Sequence, residues 1–334
     1  MDALPPGAVP GVVLNGEQMV RDIQLIEPPA PRNRFYHLAG LGLLALNSWR
    51  HRLRGYRTPR PWFSRDAGRI LEYDRAVFDN WHRHIADYLE FDLELTGRHV
   101  VEIGPGSDLG TGLLWLASGA ASYTGLDAHK LVGPKTRSLH EDIARLIAGA
   151  DAELLERLLD AVCRLHAGED GPLRYRVLAR FNLAKLDLDG FDLVVSHSAL
   201  EHVAKIDRTI EQLSERVTER AHIIAEIDLQ THTRWIRDHD PLNIYRYRRQ
   251  TWRSFAFSGT PNRVRPDSYF DALEKQGWTD LRIYPQRVLP MEYVKKVEPT
   301  LDQRFRGDPE HLAWLSIVVC ASRAGERSWK GKDE

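Results

Sequence analysis

The chain reads as a doubly wound α/β fold with a mostly parallel, seven-stranded sheet. Three observations predict it. Short apolar runs rich in β-branched residues recur at Val100–Ile103, Leu193–Val195, Ile223–Ile224 and Ile317–Val319. Stretches with helical apolar spacing separate them. The first run ends in a bare bend, Gly104-Pro105-Gly106. Alternation of strand and helix implies crossover helices on both faces of a parallel sheet.

Bulk properties agree. A chain of 334 residues suits one such domain with additions, and 43% hydrophobic residues can bury a sizeable core. A net charge of −1 argues against a general nucleic-acid binder. Two cysteines, Cys163 and Cys320, exclude a disulfide framework and a cysteine-rich zinc site. They are expected to be plain core residues in a reducing, cytoplasmic setting.

The elements follow in order. Residues 1–33 are rich in proline and read as an irregular arm. Leu38 to Leu46 is apolar but far shorter than the ~20 residues that span a bilayer. After it come Trp49, Arg50, Arg52, Arg54, Arg57 and Arg60. This patch fits either a helix packed on the core, with a solvated basic end, or peripheral contact of residues 38–60 with the inner face of a membrane. Residues 1–65 are therefore set apart from a domain over 66–325, with a polar tail at 326–334. Residues 66–93 show helical spacing.

Arg98 to Asp127 organises the rest. Strand 100–103 enters the glycine bend, Ser107 or Asp108 can cap a helix through Leu109, Leu113, Leu114 and Leu116, and strand Ser122–Leu126 ends on Asp127. Glycines admit a ligand close to the backbone, and a helix N-terminus offers N–H groups. An acid about 20 residues on can accept bonds from ribose hydroxyls. The plan is that of a nucleoside site. Beyond it, the pattern predicts a helix over 138–166 and strands at 174–178, 191–196 and 221–227. A helix over 207–217 lies before the last of these, and another over 266–276 ends at Gly277. Strands at 281–284 and 315–320 close the sheet. A long insertion, 229–265, reads as a lid or binding loop.

Glu102 precedes the bend, giving E-I-G-P-G, which resembles motif I of the class I S-adenosylmethionine (SAM) methyltransferases. The segment FDLVVSHSALEHV, 191–203, resembles that superfamily's F-D-L-V…L-E-H-V signature. Ala179-Arg180-Phe181-Asn182-Leu183 resembles its D-A-x-N-L loop, with Ala179 replacing the acid. The family's third glycine would fall at Asp108. A dinucleotide fingerprint fits less well, because its third glycine comes one place late, at Gly110. An acid at the turn also suits an ammonium and a sulfonium rather than a pyrophosphate. The resemblance implies SAM as cofactor, held by Glu102, Gly104, Pro105, Gly106, Asp127, Phe181, Asn182 and Ser196. It also implies an antiparallel closing pair of strands and a helix at 66–93 that covers the cofactor.

On the acceptor side, His197 leaves a strand beside the bend. It can serve as base or bond a backbone carbonyl structurally. Glu201 and His202 are expected to orient the loop. Asp228 can orient His232, which can draw a proton from a hydroxyl. A metal reading of Asp228, His232 and His239 matches no standard spacing. The insertion combines Trp235, Tyr245, Tyr247 and Trp252 with Arg237, Arg248, Arg249 and Arg263, a composition suited to sugars or polar headgroups. The expectation is O-methylation of a sugar, glycan or glycolipid. A small-molecule methyltransferase, with the basic patch as packing or a homo-oligomer surface, and a non-catalytic SAM-binding interaction protein are the alternatives.

Overall fold

The structure is a computed structural model that describes residues 23–55, 66–91 and 93–323. Arg57, Arg60, the polar tail and most of the proline-rich arm lie outside the described residues. Among the described residues there are eight strands: β1 Gln24–Leu25, β2 His99–Ile103, β3 Ser122–Asp127, β4 Leu173–Val177, β5 Phe191–His197, β6 Val217–Asp228, β7 Thr279–Val288 and β8 Trp314–Ser322. Their order is β1-β7-β8-β6-β5-β2-β3-β4. The expected seven strands are joined by β1, two residues of the arm that pair in parallel with β7. The β2, β3, β4, β5 and β6 pairings are parallel. β8 runs the other way. Arg323 N donates to Ala221 O, and Leu229 N to Leu315 O, so one index rises along β6 as its partner in β8 falls.

Helices lie between the strands. They are α1 Asn33–Arg54, α2 Ala67–Leu89, α3 Gly110–Ala117, α4 Arg137–Ala148, α5 Ala152–Ala167, α6 Ile206–Ser214, α7 Arg234–Arg237, α8 Arg249–Phe255, α9 Pro266–Lys275, α10 Met291–Val297 and α11 Pro309–Ala313. The single helix expected over 138–166 is two. Gly149 ends α4 at φ 56°, and the Asp151 side chain caps α5 by accepting from Leu154 N. Apolar spacing runs on across this break, so it is invisible to periodicity. The cap of α3 also differs: it is Leu109, in the left-handed region at φ 54°, rather than Ser107 or Asp108. Cys320 is buried as expected, but Cys163 is exposed.

Compactness divides the chain into two units. Among the described residues, the glycine-bend unit gathers those within 66–226, 269–282 and 319–323; the insertion unit gathers 23–55, 227–268 and 283–318. The first is built on the parallel strands. Trp81, Ile85, Tyr88, Trp115 and Tyr123 are fully buried in it. Phe78 meets Trp115 edge-on at 4.7 Å, and Trp278 Nε1 donates to Ser214 Oγ at 2.8 Å.

The insertion unit explains why the arm and the insertion belong together. Asn243 Nδ2 donates to Tyr36 O of α1 at 2.8 Å. A Cβ at Gly40 would stand 2.1 Å from Asn243 Oδ1, so only glycine permits this approach. Asp240 and Arg246 form an ion pair at 2.7 Å, each side chain 1% exposed, and Arg246 also donates to Asn33 and Thr300. Tyr245, Tyr247 and Trp252 are buried. The insertion is thus packed rather than a loose loop, and three of its aromatics, Tyr245, Tyr247 and Trp252, serve the core.

Candidate functional site

Strand register sets out the candidate site. Ile103 pairs with Leu126 on one side and with Ser196 on the other. Asp127 pairs with Val177, and His197 with Glu226. Glu226, His197, Gly104 and Asp127 therefore form one row where β5, β2 and β3 end and β6 runs on by two residues, the edge at which doubly wound sheets bind ligands. His197 and Asp127 stand two strand spacings apart, roughly 10 Å, a span suited to a nucleoside and its reacting end.

The bend is shaped for close approach. Gly104 has φ 80°, and a Cβ there would lie 2.4 Å from Ala199 Cβ. Gly104 N donates to Leu126 O at 2.8 Å, tying the bend to β3. His140, fully buried, donates from Nε2 to Ser107 O at 2.9 Å. Its Nδ1 then accepts from His166 Nε2 at 2.9 Å. Burial pushes His140 down to about 4, so it is a neutral brace. Ser196, placed with the cofactor by resemblance, donates its hydroxyl to Ile103 O at 3.0 Å and so fastens β5 to β2.

Carboxyl groups crowd this bend. Glu102 is 3% exposed and accepts from Thr111 Oγ1 and Tyr123 OH, each at 2.7 Å. Burial raises it to about 7 against those two bonds, which act to lower it. Asp108 is also raised by burial, although the Gly110 N–H meets its carboxylate. Asp74 of α2 is raised to about 9 by burial, by the charges of Asp108 and Glu102, and by its hydrogen bond with Asp108. Asp74 Oδ2 is buried with no hydrogen-bond partner among the described residues. Gly110 makes room for it, since a Cβ there would fall 2.0 Å from that oxygen.

Asp127 completes the cradle. Its Oδ1 accepts from Ala128 N at 3.1 Å, while Oδ2 is buried without a partner among the described residues. Burial lifts its carboxyl to about 6 against the neighbouring N–H groups. A buried acceptor with remaining capacity suits ribose hydroxyls. The cluster of acids suits a cationic ligand and opposes a pyrophosphate. The helix N–H that a phosphate would use at Gly110 is already met by Asp108. These residues fit SAM better than a dinucleotide. Phe181, half-buried at φ 50°, follows β4. Asn182 Oδ1 accepts from Gln212 Nε2 at 3.2 Å, which engages its amide within the protein.

Two imidazole–carboxylate pairs stand near strand ends. His197 Nδ1 lies 3.1 Å from Glu226 Oε2, which also accepts from Asn80 Nδ2 at 2.9 Å. A carboxylate only accepts, so Nδ1 carries the proton and Nε2 is the basic nitrogen. Burial alone would raise Glu226, yet the His197 bond and charge, the His84 charge and the Asn80 bond hold it below its usual value. His232 Nε2 and Asp228 Oδ2, in the insertion unit, are 3.6 Å apart, beyond a good hydrogen bond. Burial and Arg237 push His232 to about 4, and burial raises Asp228. Asp228, His232 and His239 are not gathered at metal-ligand distance among the described residues.

Glu226 and Asp74 escape a reading of motifs. Both carry a signal. Glu226 interrupts the apolar strand AHIIAEI, and Asp74 falls on the apolar face of α2 with Ile70, Val77 and Trp81. An acid on a buried face is rarely idle.

No protein-family model matches the chain, and no curated protein does. Among solved structures, the CurJ carbon methyltransferase is 12% identical, with a TM-score of 0.43 over 87% of this chain and 68% of that one. A SAM-dependent methyltransferase from Mesorhizobium loti is 17% identical, with a TM-score of 0.37 over 69% of this chain and 92% of that one. Phosphoethanolamine N-methyltransferase 2 from Haemonchus contortus is 13% identical, with a TM-score of 0.40 over 80% and 60% of the two chains. At such values the functional reading rests on the residues of this chain.

Proposed function

We propose that the chain is a SAM-dependent methyltransferase acting on a hydroxyl acceptor. The observation that carries this reading is the buried, unsatisfied Oδ2 of Asp127 in one row with the glycine bend and the His197–Glu226 pair. When bound, SAM supplies a methyl carbon activated by its sulfonium for in-line displacement. Asp127 receives the ribose hydroxyls, and Gly104, Pro105 and Gly106 admit the methionyl end to the backbone. The carboxyls of Glu102, Asp108 and Asp74, which burial holds towards the neutral form, would ionise against its positive charge. Phe181 packs on the adenine. Nε2 of His197 takes the acceptor proton, and Glu226 stabilises the imidazolium that results, a contribution of ~10²–10⁴ in rate.

The acceptor is read as a sugar, glycan or glycolipid. A cavity of about 350 Å³ in the insertion unit, whose wall includes Arg304, Arg306, Asp267 and Asp308, has the chemistry for hydroxyl and anionic groups. Calorimetry with S-adenosylhomocysteine and with NADH tests the cofactor. The first should bind and the second should not; the reverse would overturn the reading. Transfer from methyl-labelled SAM into fractionated cell-envelope extract then tests the acceptor, with base-stable label in a carbohydrate fraction as the expected result.

A further inference from the structure

Helix α1 is amphipathic in the reverse of the usual sense. The residues it buries are Tyr36, Gly40 and Ser48. Phe35, Leu38, Leu46, Trp49 and Leu53 are 54%, 69%, 37%, 59% and 65% exposed. With exposed Gly42 these positions recur every three or four residues, so at about 100° per residue they make one continuous outward stripe. Trp235 of α7, itself 49% exposed, stands edge-on to Phe35 at 6.3 Å and widens the patch. Arg34 and Arg52 flank the stripe on one side and Arg50 on the other, and the helix has no acidic residue.

We infer that α1 lies in the interfacial region of an anionic lipid bilayer, its outward stripe among the acyl chains and its arginines among the headgroups. The charge pattern selects this occupant. A second copy in two-fold contact would bring arginine rows against arginine rows. An anionic surface meets them with opposite charge at both ends of the 22-residue helix, about 33 Å long. No described helix is long and apolar enough to cross a membrane, so the helix lies in the surface. The inference is independent of the methyl-transfer reading.

The test is cosedimentation of the full chain with phosphatidylcholine vesicles, with and without phosphatidylglycerol. Binding is expected with the anionic lipid. The double variant Trp49→Ala/Leu53→Ala should bind at least about tenfold more weakly, because two exposed apolar anchors are lost. Changing Arg50 and Arg52 to Gln should cost about fivefold for each charge and remove the preference for anionic lipid. Circular dichroism and the melting temperature of each variant report folding apart from lipid. The inference fails if the parent chain ignores anionic vesicles, or if the variants bind them as well as the parent. It also fails if the double variant instead turns a dimer into a monomer on sizing, which would make the stripe a contact between copies.

Discussion

In the insertion unit, Arg246 commits its guanidinium to Asp240, Asn33 and Thr300, and Arg263 donates to Tyr247 O at 2.7 Å while lying 4.5 Å over the Trp252 ring. In the glycine-bend unit, Asp127 and Asp74 each keep a buried carboxyl oxygen with no partner among the described residues. Both regions bury charge, which costs energy unless it is answered. The first answers it from within. The second leaves part of the answer to a ligand, which is how a site differs from a scaffold. The two imidazole pairs repeat the contrast. Glu226 is held ionised against His197, whereas His232 is driven neutral by burial and stands off from Asp228.

The sharpest way to break the comparison is to remove each imidazole in turn. His197→Ala should lower kcat by about 10²–10⁴, with S-adenosylhomocysteine affinity little changed. His232→Ala should lower it by less than about threefold, since a group titrating near 4 is a weak base at neutral pH. Steady-state kinetics with a responsive acceptor decide between them. Equal losses would erase the distinction between the pairs.

Asp240→Asn probes the closed network. It leaves Arg246 buried with its charge unanswered, a loss of about 3–5 kcal/mol in stability. Urea denaturation reads that loss, and a change under about 1 kcal/mol by this standard would show the pair to be ornamental. Asp127→Ala probes the open network. Stability should fall by only about 1–2 kcal/mol, less than for Asp240→Asn, because the carboxyl loses its bonds from Ala128 and its other neighbours while Oδ2 has no partner to lose among the described residues. Affinity for S-adenosylhomocysteine should drop about 10–100-fold, the worth of hydrogen bonds donated to a charged acceptor. If stability fell as far as in Asp240→Asn and binding did not fall, the roles given to the two units would be reversed.

Local chemistry is legible in the amino-acid sequence. The Gly104–Gly106 bend, the strand-ending Asp127 and the exit of His197 from β5 are set by residues adjacent along the chain, and the register brings all three to one edge. What is not legible depends on distant partners. His197 finds Glu226 only through the pairing of β5 with β6, whereas Asp228 and His232, a simple i,i+4 pair, stand out in the sequence without meeting closely in the fold. Tyr245, Tyr247 and Trp252 resemble a binding surface because composition cannot tell an aromatic that faces a ligand from one that packs beneath α1. Asp74 lies on a helix that precedes the motif, and its approach to α3 needs the missing side chain at Gly110.

Asp74 allows the finest test, through pH. Its carboxyl titrates at 3.8 in the unfolded chain and at about 9 in the fold. Between those values the folded protein holds a proton that the unfolded chain has released, so this residue lowers stability progressively as pH rises from 3.8 towards 9. Asparagine cannot ionise. Asp74→Asn should therefore match the parent chain near pH 4 and exceed it at neutral pH, by on the order of 1–3 kcal/mol. The same change removes a carboxyl that a bound cation could draw into its charged form, so SAM should lose more affinity than S-adenosylhomocysteine, which lacks the sulfonium. Calorimetric melting at acid and neutral pH reads the first effect, and paired titrations read the second. An identical shift in melting temperature at both pH values would mean that Asp74 acts by packing alone, and that the acids around the glycine bend are not poised for a positively charged ligand.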